Sequence, residues 1–165
     1  MSLRTILNQA DIFHELSDDQ LESISGICIE KEFKLGELIF EENAASDELY
    51  IIARGEVEIV VDPALVSDRP SNASRPATIA KLRRGQSFGE VALVDQGLRS
   101  AAARSATADT HLIVIPRDLL MGQIQQDPAF GFILMRNLAA DLALKIRNSG
   151  LMIREKLLYS PPENQ

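Results

Sequence analysis

The chain has 165 residues, 45% of them hydrophobic and 25% charged, a balance typical of one soluble globular domain with its own core. Its 24 acidic residues outnumber 17 basic ones, for a net charge of −7, so we expect no direct contact with the phosphate backbone of nucleic acid. There is no apolar run of membrane-spanning length and no recognisable secretory signal, and the single cysteine, Cys28, cannot form an internal disulfide, which together favour a cytoplasmic protein.

The N-terminal part, about residues 5–27, is predicted to be helical. Ser17 and Gln20 are spaced as a capping box, in which each residue satisfies a backbone N–H group of the other at the start of a helix. Apolar residues then follow at near-helical spacing, at Leu21, Ile24 and Ile27.

From about residue 28 to residue 115 the pattern changes to short β-rich runs separated by turn signals at Gly36, Asn43, Gly55 and Gly85. Many short strands with such punctuation favour a barrel or jelly roll. Residues 62–76 are rich in Pro, Ser, Asn and Asp, and they are predicted to form a long exposed hairpin loop. The predicted strands are residues 28–33, 37–40, 48–53, 56–61, 77–82, 100–107 and 111–115.

Helical patterning returns after Pro116, over about residues 117–158. Arg117–Gln126 is predicted to be a short helix, and Asp127 with Pro128 is a typical start of a second, longer one. One apolar stripe on this helix has residues four apart and is expected to face the core: Leu134, Leu138, Leu142 and Ile146. A weaker stripe at sevenfold spacing either packs against the roll as part of the core or forms the seam of a homodimer: Leu144, Leu151 and Leu158.

The segment from Phe88 to Ala102 carries the chemistry. Gly89 precedes a predicted helical turn, whose backbone N–H groups can bind an anion while the glycine allows close approach. Arg99 is predicted to begin a strand that returns over the same place, where its guanidinium can bind two phosphate oxygens and Ser100 adds a hydroxyl. Glu90 can accept a hydrogen bond from a sugar hydroxyl, so the set suits a ribose phosphate.

These residues resemble a known motif. FGEVAL at residues 88–93, followed by RSA at residues 99–101, is similar to the phosphate-binding cassette of cyclic-nucleotide-binding domains. Similarity to that family extends over about residues 10–158, and Asn43 stands where many members have glycine. The resemblance implies a mainly β fold with flanking α-helices. Its centre is an antiparallel double-stranded β-helix (a jelly-roll or cupin-like β-roll) of eight strands, with N-terminal helices, a short helix in the cassette and a long C-terminal helix.

The resemblance also implies roles. Glu90 would accept from the ribose 2′-hydroxyl and Arg99 would pair with the cyclic phosphate of cAMP or cGMP. The remaining cradle would come from the Ser100 hydroxyl and the backbones of Gly89, Val91, Ala92 and Ala101. In the family the last helix often caps the base, and three polar residues fall near the expected position, although a solvated helix face is the favoured interpretation of each: Arg147, Asn148 and Ser149.

Two function classes remain open. The first is a regulatory sensor that binds a cyclic nucleotide and signals through its C-terminal helix to an unidentified effector, either a separate protein or a part of the protein outside this chain. The second is a nucleotide-free β-roll for dimerisation or protein contact. We expect no enzyme, no metal and no cofactor beyond the nucleotide, because a cupin metal site needs two or three converging histidines and the only two here, His14 and His111, lie far apart in the sequence.

Overall fold

A computed structural model of the chain describes residues 2–62, 76–94 and 97–159. The predicted loop at residues 62–76 lies almost entirely outside the described residues. The N-terminal region forms two helices, α1 (Leu3–Asn8) and α2 (Asp18–Ser25), joined through a 3-10 turn at Asp11–Phe13. The capping box is confirmed, because the Ser17 side chain accepts from the backbone N–H of Gln20 and the Gln20 side chain accepts from the backbone N–H of Ser17.

Eight strands form two four-stranded antiparallel sheets, which confirms the predicted β-roll. The first sheet has the order β1-β8-β3-β6 and the second has the order β2-β7-β4-β5. Strand β6 has only two residues and was missing from the predicted runs. The strands are β1 (Ile29–Phe33), β2 (Leu38–Phe40), β3 (Glu48–Arg54), β4 (Glu56–Val61), β5 (Ala77–Arg83), β6 (Ser87–Phe88), β7 (Ala102–Ser105) and β8 (Thr110–Pro116).

The turn signals have the backbone conformations that their residue types favour. Gly36, Gly55 and Gly85 all have positive φ angles, and Asn43 has a φ of 63°, in the left-handed region that asparagine tolerates. The Asn43 turn matters for the site, because the backbone N–H of Asn43 donates to the carbonyl oxygen of Arg99 over 2.8 Å.

The central strands β3 and β8 are buried on both faces. Successive side chains in a strand point to opposite faces. Tyr50 and Ile52 therefore point into the roll with Val114, while Leu49 and Ile51 belong to a second apolar cluster beneath the helices. This second cluster docks the helices on one outer face of the roll, and it includes Leu7, Phe13, Leu21, Ile113, Leu120, Phe130, Leu134 and Leu138.

The C-terminal helices are α4 (Arg117–Gln126) and α5 (Pro128–Tyr159), as predicted, and α5 continues through Gly150. Asp127 caps α5 by accepting from the backbone N–H of Phe130 over 3.0 Å. Asn137 ties the helix to the N-terminal 3-10 turn, where its amide donates to the carbonyl oxygens of Ile12 and His14.

The prediction that the fourfold stripe on α5 faces the core is only partly correct. Leu134 and Leu138 are fully buried, but Ile146 is 72% exposed. Residues spaced by four advance about 40° around an α-helix at each step, so such a stripe turns away from a flat docking surface within a few turns.

Candidate functional site

The segment with the family-like motif lies at one end of the roll. Strand β6 ends at Phe88, and the short helix α3 (Val91–Val94) follows at once. Arg99 does not begin a strand, as had been predicted; it lies in the loop before β7, which starts at Ala102. Two backbone hydrogen bonds fix this loop against the β2–β3 turn, since Arg99 N–H donates to Ala44 O and Asn43 N–H donates to Arg99 O.

The Arg99 side chain points into the protein, and the residue is only 5% exposed. Its Nη2 donates to the carbonyl oxygen of Glu48 over 2.8 Å, and its Nη1 donates to the carbonyl oxygen of Gly89 over 3.3 Å. These bonds join the cassette to β3, so the guanidinium lies between Gly89 and the start of β3.

Aromatic rings form one wall around this guanidinium. Its Cζ lies 4.2 Å from the centre of the Phe40 ring and 5.5 Å from that of Tyr50. Tyr50 in turn stacks on Phe88, with ring centres 4.9 Å apart. A cation over an aromatic face is stabilised by the ring quadrupole. The rings carry no charge, so they do not neutralise the charge of Arg99.

The charge on Arg99 is buried, and no carboxylate in the described part of the chain forms an ion pair with it. Within the part of the chain that the structure describes, both of its hydrogen bonds end on backbone carbonyls and its Nε has no hydrogen-bond partner. Burial lowers the pKa of the guanidinium, and the nearby Tyr50, Asp47, Glu48 and Glu90 oppose that shift. A buried cation with spare donor capacity is an environment in which a bound anion would be stabilised.

Gly89 provides the room that Arg99 occupies. Its φ is +78°, and a Cβ built on it would lie 2.5 Å from Arg99 Nη1 and 3.0 Å from the carbonyl oxygen of Glu48. Any side chain here would displace the guanidinium or strain the backbone. The sequence pattern pointed to glycine as the site of close approach, and the group that approaches it in the structure is the chain's own arginine.

Glu90 is also buried, with its side chain 8% exposed, and it has a partner that the sequence analysis missed. Lys145 on α5 reaches back to the roll, and its Nζ lies 2.9 Å from Glu90 Oε1 and 2.8 Å from the carbonyl oxygen of Ser87. The same Nζ lies 2.7 Å from Asp141 Oδ2, one helical turn earlier. The one available signal was the Asp141–Lys145 spacing, which is common on exposed helix faces and therefore uninformative by itself.

The other predicted site residues are placed less uniformly. Ala101 is buried, Val91 is 41% exposed and Ser100 is exposed, all within the cassette, and Ala92 lies in α3.

The three polar residues on α5 lie one turn beyond the contact made by Lys145. Arg147, Asn148 and Ser149 are exposed, and the Ser149 hydroxyl donates to the carbonyl oxygen of Lys145 in its own helix. The structure therefore brings Glu90 and Arg99 together around Gly89, and it brings Lys145 there instead of these three.

A separate cavity of about 140 Å³ lies between α2 and the α4–α5 junction, and none of its lining residues belongs to this cluster. Four of its polar lining residues already bond to one another in pairs, since Gln20 donates to Asp127 over 2.8 Å and Ser23 donates to Gln123 over 2.6 Å. We therefore place the candidate site at Arg99. Over residues 2–62, 76–94 and 97–159, no group of three metal-ligating side chains converges, and no helix has the length and apolarity to span a membrane.

Comparison with known proteins gives matches that cover most of the chain. It is 29% identical to the cyclic AMP receptor protein of Thermus thermophilus over 140 residues, which are 85% of this chain and 59% of that protein. Its fold matches that of a cyclic nucleotide-binding domain from Methylobacillus flagellatus with a TM-score of 0.76 and 24% identity, over 93% of this chain and 82% of the other. It also matches the catabolite activator protein of T. thermophilus with a TM-score of 0.68 and 27% identity, over 88% of this chain and 62% of the other.

The chain thus spans less than two thirds of either Thermus protein. The family model of the cyclic nucleotide-binding domain matches residues 30–127, which is more than half of the chain and includes the whole cassette. Together with the eight-stranded roll and the cluster at Arg99, this match shows that the chain belongs to the cyclic nucleotide-binding domain family.

Proposed function

We propose that this domain binds cAMP or cGMP as a non-catalytic regulatory module in the cytoplasm. The observation that carries the proposal is the buried Arg99 guanidinium, which has an unpartnered Nε and no carboxylate contact among the described residues. The phosphate of a cyclic nucleotide is a monoanion and supplies the charge that this position lacks. Family membership supports the same assignment.

In this proposal two charged residues of the cassette bind different groups of the ligand. Arg99 pairs with the cyclic phosphate, and Glu90, the residue after Gly89, accepts from the ribose 2′-hydroxyl. The rest of the phosphate cradle comes from the Ser100 hydroxyl and from the backbones of Gly89, Val91, Ala92 and Ala101. The three polar residues on α5, Arg147, Asn148 and Ser149, would reach the base only if α5 moved from its position in this structure.

Signalling would pass through α5. A ligand shifts a conformational equilibrium only when its contacts differ between the two states, so α5 or its contacts must differ between the free and bound domain. Gly150, with no neighbouring atom within 4 Å of its Cβ position, provides a point at which the distal helix could bend. The effector would be a separate protein or a further part of the protein outside this chain.

A second candidate function is dimerisation through α5, alone or together with nucleotide binding. The observation in its favour is the exposure of large apolar side chains along one helix, with Leu144 at 55%, Leu151 at 60% and Leu158 at 78%. The sevenfold spacing suits packing against the same helix of a second copy of this chain. Light scattering after size-exclusion chromatography tests it. A wild-type dimer that becomes a monomer in the double variant Leu144→Gln/Leu151→Gln supports the seam. A wild-type protein that is monomeric at every concentration tested refutes it.

Titration calorimetry with cAMP and with cGMP tests the main proposal. Arg99→Ala is expected to weaken binding by about 2–4 kcal/mol, because a partly desolvated phosphate would lose its charged partner. Arg104→Ala is the matched control, since Arg104 lies on the neighbouring strand β7 and pairs with Glu58 at the surface. Absence of binding of either nucleotide to the folded wild-type protein, or equal binding by both variants, would refute the proposal.

A further inference from the structure

The ammonium group of Lys145 is held by three oxygens from two different parts of the fold. Ser87 O at 2.8 Å and Glu90 Oε1 at 2.9 Å belong to the roll, whereas Asp141 Oδ2 at 2.7 Å belongs to the same helix as Lys145. The side chains of Lys145, Glu90 and Asp141 are 26%, 8% and 10% exposed, so the cluster is largely shielded from water.

If α5 moves, the contacts of Lys145 with the roll can break, whereas its contact with Asp141 in the same helix is kept. Asp141 and Lys145 are one turn apart on α5, so they stay together wherever the helix goes. Glu90 and Ser87 stay with the roll. Although Asp141 Oδ2 lies close to the ammonium, it accepts no well-directed hydrogen bond in this structure. It can therefore accept a hydrogen bond from Lys145 when Lys145 loses Glu90. The ammonium therefore keeps a carboxylate partner in either state, and release from Glu90 does not strand a buried charge.

Among the α5 side chains that the structure describes, Lys145 is also the last one tied to the roll. After it, every described side chain on the helix is exposed, and glycine at position 150 is the sole half-buried residue. Loss of the Glu90 contact would leave Ser87 O as the only described contact between Lys145 and the roll, and loss of both would free the distal part of the helix without disturbing the buried Leu134 and Leu138 that dock its first turns.

We propose that Lys145 competes with the ligand for Glu90, and that Asp141 sets the strength of this competition by offering the ammonium an alternative partner. The inference rests on the proposed function, because it takes Glu90 as the acceptor for the ribose hydroxyl. Lys145 thereby lowers the affinity of the free domain for nucleotide and couples occupancy of the ribose position to release of the end of α5.

The competition predicts effects whose signs are opposite to those of simple electrostatics. Lys145→Met keeps the apolar stem and removes a positive charge near an anionic ligand, which by charge alone weakens binding. Competition predicts instead about threefold to tenfold tighter binding, since the fraction of binding-competent domain rises. Asp141→Asn removes a negative charge, which by charge alone strengthens binding, but it also removes the alternative partner of Lys145, so competition predicts about threefold or more weaker binding.

The experiment measures the dissociation constants of cAMP and cGMP by calorimetry for wild type, Lys145→Met and Asp141→Asn, after circular dichroism has shown that each is folded. Arg154→Met is the matched control, because it removes the same charge from an exposed position on the same helix. Hydrogen exchange of residues 141–152 in the absence of nucleotide is the second readout, and it should be faster in Lys145→Met than in wild type or Arg154→Met.

The outcomes separate the two proposals. Tighter binding by Lys145→Met, weaker binding by Asp141→Asn and an unchanged Arg154→Met support the competition. If wild type binds nucleotide and Lys145→Met binds no tighter, or exchanges at the wild-type rate, the competition is refuted while the proposed function stands. If folded wild type binds neither nucleotide, the proposed function is refuted, and the role of Lys145 falls with it.

Discussion

At Gly89 the backbone lies directly against the Arg99 guanidinium. Gly89→Ala is therefore expected to destabilise the domain through two separate effects. The first is the left-handed backbone at a φ of +78°, which costs an L-residue about 1–2 kcal/mol. The second is contact, because the new Cβ would lie 2.5 Å from Arg99 Nη1 and 3.0 Å from Glu48 O. Moving the guanidinium away breaks a charged hydrogen bond in a buried place, at about 1–3 kcal/mol.

The chain offers a matched control for the first effect. Gly36 has the same φ of +78°, but no atom lies within 4 Å of its Cβ position. Gly36→Ala should therefore lose only the backbone part, about 1–2 kcal/mol. Gly89→Ala should lose about 2–5 kcal/mol, the sum of the backbone strain and the lost contact of Arg99.

Urea unfolding followed by circular dichroism gives the free energy of unfolding for both variants, provided that the slope with denaturant is unchanged. Equal losses for Gly36→Ala and Gly89→Ala would show that Arg99 does not occupy the space beside Gly89, and the geometry argued for the site would be wrong. In the proposed sensor, Gly89→Ala should also weaken nucleotide binding, whereas Gly36→Ala should leave it unchanged, because only the former displaces the guanidinium.

Three further predictions concern the scaffold. Ser17→Ala should lower the free energy of unfolding by about 1 kcal/mol, since it removes the capping box of α2, and Ser17→Asp should restore most of it. Leu134→Ala, at a fully buried position where α5 docks, should cost about 2–5 kcal/mol, while Leu144→Ala, 55% exposed, should change the midpoint of urea unfolding little; similar losses would mean that α5 docks through another face. Burial raises the pKa of the Cys28 thiol to about 12, so in the folded protein at pH 8 it should react with a disulfide reagent far more slowly than in urea, and equal rates would place the thiol in water.

Local patterns in the sequence were enough to predict several elements of this fold. The capping box at Ser17, the start of α5 at Asp127–Pro128 and the turns at glycines and Asn43 depend on interactions within a few residues, and the structure contains all of them. Strand β6 was missed because two residues are too few to show any periodicity. Arg99 was placed at the start of a strand because it directly precedes the predicted β-rich run at residues 100–107, whereas its backbone bonds to the distant Asn43–Ala44 turn.

The sequence by itself determined the class of fold and the cassette, because periodicity, turn chemistry and the spacing of Gly89, Glu90 and Arg99 are all local properties of the chain. Only the tertiary structure decided how the charges of the site are arranged. The Arg99 guanidinium contacts two carbonyl groups and an aromatic ring, and Glu90 is held by Lys145, 55 residues away along the chain. The reason is physical: a buried charge takes whichever partner the packing brings within about 3 Å, and packing between a roll and a helix brings together residues that no local pattern connects.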